Sequence, residues 1–130
     1  MPGTGARRAA SVFTILTAAA VLFQVALAAG APLGAFAWGG RYPGVLPAPM
    51  RAASVGSALL LTLLIWIIRR RAGLGRVVQP VGSGKPAWFV VGFCVLSVVA
   101  NAATPSAGER LIWLPVTIGL LASSLVVARR

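Results

Sequence analysis

Apolar residues in this chain fall in blocks, not in the alternation of a half-buried strand. Four uncharged apolar runs stand out, at 11–29, 52–68, 87–103 and 111–128. A helix needs about 20 largely apolar residues to cross roughly 30 Å of hydrocarbon. Each run is slightly short, so the helices should stand near upright or extend into their flanks. In hydrocarbon every backbone amide needs an internal partner, which makes the runs helices, and four strands could not close a barrel. The pattern predicts an all-α, four-helix transmembrane bundle forming a single membrane domain over 1–130.

Composition supports that solvent. The hydrophobic class holds 58% of the chain and charged residues only 10%, against about 25% charged in a soluble domain. The net charge of +11 comes from twelve Lys and Arg against one acid, Glu109. These cations lie between the runs instead of along one polar face, which argues against nucleic acid. Nine of them, Arg7, Arg8, Arg69, Arg70, Arg71, Arg76, Lys85, Arg129 and Arg130, fall on one side of a four-span topology. Only Arg41, Arg51 and Arg110 fall on the other. The positive-inside rule then places both termini and the basic inner loop 69–86 in the cytoplasm, with loop 30–51 outside. Arg69, Arg70, Arg71, Arg76 and Lys85 are expected to meet anionic lipid headgroups. Trp66 and Trp88 flank the inner loop, while Trp38 and Trp113 lie near the outer ends, as interfacial indoles do. A bias to Ala, Gly and Arg with a single Lys suggests a bacterial source, so the expected location is a bacterial plasma membrane, crossed several times. A homo-oligomer or a membrane-protein partner would suit so small a bundle.

One competing reading concerns the start. A basic beginning, an apolar stretch and Ala26-Leu27-Ala28 resemble a secretory leader with its cleavage site, which would leave three spans. The apolar run is longer than the usual leader core of about 7–15 residues, so four spans is the preferred reading.

The outer loop 30–51 is the least generic segment. It holds five glycines and four prolines, with Phe36, Trp38 and Tyr42 among them. Glycine permits positive φ and proline fixes φ while removing a donor, so the segment should be a turn-rich cap, not one helix. In the second outer segment, Ser106-Ala107-Gly108-Glu109 fits the S-x-x-E capping box at the start of the fourth helix. Glu109 should bond back to the backbone there, and it is also placed to pair with Arg41 or Arg51. Trp38, Arg41, Arg51, Asn101, Glu109 and Arg110 therefore form a candidate outer-face site or structural hub. Gln24 and Ser97 are candidate interhelical polar residues, because an amide or hydroxyl in hydrocarbon seeks a partner. Small residues four apart, Ala52 with Gly56, Ala53 with Ser57, Ser54 with Ala58 and Gly119 with Ser123, would let helices approach closely.

Candidate chemistry is sparse. The chain has no histidine, one cysteine (Cys94) and one carboxylate. No intramolecular disulfide can form, and no metal or cofactor site built from Cys and His is expected. No catalytic residues can be named, since a hydrolase, kinase or redox site needs more parts than these. The leading expectation is a non-enzymatic structural, accessory or ligand-binding membrane module. The alternative is a subunit of an oligomeric small-molecule transporter or channel, with Gln24, Ser97, Asn101 and Thr117 lining a path between helices.

The segments GAPLGAFAWGG, VLPAPMRAAS and NAATPSAGERLIWLPV together resemble an uncharacterised family of small four-helix bacterial integral membrane proteins. The resemblance covers most of the chain outside the N-terminus and the inner loop. It implies the four-helix architecture, carries no established activity, and points to Gly34, Trp38, Gly39, Gly40, Arg51, Asn101, Glu109, Arg110, Trp113 and Pro115 as the positions to test.

Overall fold

The computed structural model describes residues 3–74 and 84–130. Arg76, one of the cations expected to meet lipid headgroups, lies outside them. The described residues form four helices: α1 (Thr4–Ala28), α2 (Ala48–Arg71), α3 (Lys85–Ala103) and α4 (Ala107–Ala128). All four are long and apolar enough to cross a membrane. Each helix starts before its apolar run. Arg7 and Arg8 sit in the first turns of α1, and Arg69, Arg70 and Arg71 form the last turn of α2. The helices therefore gain length by taking in flanking residues. Three arginines at a helix C-terminus also complement its dipole. Pro49 lies in the first turn of α2, where its missing N–H costs nothing. α4 runs through Pro115 as one helix.

α1 packs against both α2 and α4, and α3 packs against α4. Of the neighbouring pairs, α2 and α3 touch least. The main core sits at the end of the bundle where the arginines gather. There Phe13, Leu64, Ile68, Val90, Cys94 and Val127 are closed off almost completely. The outward faces are apolar too: Ile15, Leu22, Leu59, Leu96 and Leu111 are 69–77% exposed. Such a surface suits hydrocarbon and would associate in water.

The small-residue pairs divide. Gly119 lies so close to α1 that a Cβ there would stand 2.8 Å from Leu16 Cδ1, and Ser123 is buried beside it. Ser54 and Ala58 are buried as well. Gly56 meets nothing within 4 Å, so the Ala52–Gly56 pair faces outward and packs no helix. Hydroxyls in the helices mostly bond back one turn. Ser11, Thr14, Ser54, Thr62, Ser97 and Ser123 all donate to the carbonyl four residues earlier. This satisfies each hydroxyl without a partner helix. Thr17 is a fully buried exception: its Oγ1 has no partner among the described residues.

Candidate functional site

The site begins with how the first loop is held. α1 ends in a glycine turn: Gly30 has φ +99°, and the Ala31 N–H bonds to the Ala26 carbonyl at 2.9 Å. That is a Schellman-type closure, which needs the left-handed residue. Arg51, in the first turns of α2, donates through Nε to the Ala28 carbonyl at 3.0 Å. A cation thus satisfies an orphan carbonyl at the end of α1. The loop then folds on itself. The Gly34 N–H bonds to the Gly44 carbonyl at 2.8 Å, and a Cβ at Gly34 would lie 1.8 Å from the Tyr42 carbonyl oxygen. Two short 3-10 turns follow, Gly34–Phe36 and Trp38–Gly40. Beneath them Leu27, Ala37 and Leu46 form a second small core, with Phe23, Leu33, Tyr42 and Met50 packed against it.

The second turn is left-handed throughout. Trp38, Gly39 and Gly40 have φ of 53°, 68° and 73°. Two glycines adopt this readily, but a bulky tryptophan there is a true outlier. The turn aims the Gly39 N–H at Glu109, whose Oε2 accepts it at 2.8 Å. Two further bonds join the loop to α4. The Ser106 hydroxyl donates to the Ala35 carbonyl at 2.8 Å, and the Trp113 indole N–H donates to the Phe36 carbonyl at 3.0 Å. A Cβ at Gly108 would fall 2.8 Å from the Phe36 ring, so α4 and the loop are in direct contact.

This geometry corrects several expectations. Half of the capping box forms: the Ser106 hydroxyl accepts the Glu109 N–H at 3.1 Å. The other half does not, because the Ser106 N–H turns to Thr104 Oγ1 at 3.3 Å while the Glu109 side chain crosses to the loop. Nor does Glu109 pair with Arg41 or Arg51. Arg41 lies over the Tyr42 ring at 5.7 Å, and Arg51 is committed to α1. Arg110 donates to the Thr104 carbonyl at 2.7 Å, closing the end of α3. A backbone N–H held by the left-handed turn stands where an arginine was expected. Trp113 is half-buried and bonded inward, so it supports the loop.

Under the loop, where α2 and α3 part, lies a cavity of about 400 Å³. Its polar lining is Gln24, Ser57, Ser97, Asn101, Glu109 and Thr117, drawn from all four helices. Its aromatic lining is Phe23, Phe36, Trp38, Phe93 and Trp113. Phe23 and Trp113 stand with ring centroids 4.8 Å apart. The rim includes Trp38 and Leu60, 45% and 38% exposed, which leaves the cavity accessible. Its inner end is closed: Leu120 lines it and also belongs to the main core. In place of the interhelical bond expected of Ser97, it and Asn101 both bond within α3. Ser97 donates to the Phe93 carbonyl at 2.9 Å, and Asn101 Nδ2 donates to the Ser97 carbonyl at 2.8 Å. Gln24 Oε1 is buried without a partner among the described residues.

The cavity therefore gathers Gln24, Trp38, Ser97, Asn101, Glu109, Trp113 and Thr117 from the residues singled out in the sequence, and leaves Arg41, Arg51 and Arg110 outside. Phe23 and Phe93 were not singled out, and Ser57 was marked only as a small residue for helix packing. Each sits in an apolar or small-residue run, where nothing in sequence separates a wall residue from a packing residue. The aromatic Phe36 carried a weak signal, as one of three rings in a glycine-rich loop.

If these bonds hold the loop, thermal unfolding in detergent should rank the variants. Gly34→Ala forces a backbone clash and should lose about 2–3 kcal/mol. Trp113→Phe strands the Phe36 carbonyl and should lose about 1–2 kcal/mol. Arg41→Ala should stay within about 0.5 kcal/mol of the parent. An Arg41→Ala loss equal to that of Trp113→Phe would contradict the arrangement. No family model, curated protein or solved structure matches the chain, so the geometry carries the functional argument.

Proposed function

We propose that the chain is a multi-pass protein of a bacterial plasma membrane, with both termini in the cytoplasm, that binds a small amphipathic molecule without transforming it. One observation carries the binding reading: polar side chains of all four helices converge on one accessible cavity with aromatic and aliphatic walls. Small-molecule sites have this make-up, mostly apolar with a few placed polar groups, and volumes from about 300 Å³ upward. Membership of the four-helix bacterial family resembled by GAPLGAFAWGG and NAATPSAGERLIWLPV is part of the same proposal.

The sparse acid–base groups support binding without turnover. Glu109 is the chain's one carboxylate and there is no histidine. One face of that carboxylate already holds the loop, which leaves no acid–base pair. A conducting path through a single chain is disfavoured, because Phe13, Leu64, Ile68 and Val90 seal the other half of the bundle. That seal favours a binding module over a transporter or channel subunit. The proposed orientation rests on the cations. Arg69, Arg70, Arg71 and Lys85 lie at the same end as Arg129 and Arg130, where anionic headgroups would meet them.

Two experiments test this reading. With Cys94 replaced, a cysteine at position 41 should react with an impermeant maleimide added outside intact cells, and one at position 85 only after permeabilisation. The reverse pattern would overturn the orientation. For binding, Trp66→Phe and Trp88→Phe leave Trp38 and Trp113 as reporters. Titration with 1-adamantanol in phosphatidylcholine nanodiscs should change their fluorescence saturably, and Ser57→Phe, which fills the cavity, should abolish the change. A response that never saturates, or one indifferent to Ser57→Phe, would sink the proposal.

A further inference from the structure

Among the cavity's hydrogen-bonding groups only Glu109 carries a fixed charge. Several of the cavity's donors are spent on the protein. The Ser97 hydroxyl, Asn101 Nδ2, the Thr117 hydroxyl and the Trp113 indole N–H all donate to backbone carbonyls. Acceptors remain. A carboxylate offers about four lone-pair positions, and the Gly39 N–H fills one at Glu109. The hydroxyls of Ser97 and Thr117 keep their lone pairs, and Gln24 Oε1 has no partner among the described residues. The neutral lining groups include donors as well, the Ser57 hydroxyl, the Trp38 indole N–H and the second Asn101 amide proton, and an amide can turn either end to a ligand, so they do not set the sign. Glu109 does, with the only negative side-chain charge in the molecule.

The surroundings of that charge are aromatic. Trp113 lies one helical turn from Glu109 on α4 and so shares its face. Trp38 adjoins Gly39, whose N–H the carboxylate accepts. Phe36 is tied to Trp113 by the 3.0 Å indole bond, and Phe23 packs on Trp113 at 4.8 Å. All of them line the same cavity. Aromatic faces attract a cation within about 6 Å of the ring centroid, more so when water is excluded. The nearby arginines do not fill that role, since Arg41, Arg51 and Arg110 are engaged elsewhere.

We propose that the cavity takes a monovalent organic ammonium ion. Its N–H donors meet Glu109 between Trp38 and Trp113, and its compact apolar body fills the space between α2 and α3. The inference rests on the ligand-binding reading above and adds the charge and the donor character of the ligand. An anionic head would face Glu109 directly, and a neutral hydroxyl would gain only one donor bond.

One apolar body with three heads separates the two claims. In the nanodisc assay above, 1-adamantylammonium should bind at least about tenfold more tightly than 1-adamantanol, and adamantane-1-carboxylate most weakly of the three. Glu109→Gln keeps an acceptor for the Gly39 N–H but removes the charge. In it the advantage of the amine over the alcohol should shrink to within about threefold. If the alcohol or the carboxylate binds the parent protein as tightly as the amine, the ammonium claim falls and the binding reading stands. If no head gives a saturable response in the parent protein, both fall. The comparison of heads on the parent protein decides the matter even if Glu109→Gln does not fold.

Discussion

The bond from the Gly39 N–H to the Glu109 carboxylate, 2.8 Å long, is the contact on which the rest of this end of the molecule depends. It is a charge-assisted bond, roughly twice as strong as a neutral one. It requires Trp38, Gly39 and Gly40 to turn left-handed together, a conformation that strains the tryptophan and so must be held from outside. Ser106 and Trp113, flanking Glu109 on α4, hold the preceding loop residues by their carbonyls. The loop is thereby laid across the bundle, and the space beneath it becomes a roofed cavity instead of an open groove.

The cavity exists because packing is uneven. α2 and α3 come together at the arginine-rich end around Leu64, Ile68, Val90 and Cys94 and have little further contact. Ser97, whose hydroxyl might have bridged the gap, bonds back along its own helix, which satisfies it without a partner helix. The walls are then left with apolar faces, rings and spare acceptors. The same local satisfaction that stabilises each helix separately leaves room for a ligand between two of them.

Much of the architecture was legible in the sequence, because apolar block length is a local property. The four runs mark the four helices, and their charged flanks become helix ends. Ser106 and Glu109 were readable as a helix start from spacing alone. Where the Glu109 carboxylate goes was not, because its partner is a backbone N–H 70 residues away, and a backbone donor carries no residue signature. Charge made Arg41 and Arg51 the obvious partners. Arg51 instead serves the end of α1, where an orphan carbonyl is the nearer need. Gln24, Ser97 and Asn101 were recognisable as polar residues in apolar runs. That they share one cavity, and that the two α3 residues bond within their own helix, depends on how α2 and α3 splay. No periodicity encodes that.

The most direct test of the account is the exchange rate of the Gly39 amide, read by nuclear magnetic resonance in nanodiscs. The account predicts a slowly exchanging proton in the parent protein and in Arg41→Ala, and a fast one in Glu109→Ala with the helices intact. A Gly39 amide that exchanges in the parent as fast as a free loop amide would contradict it.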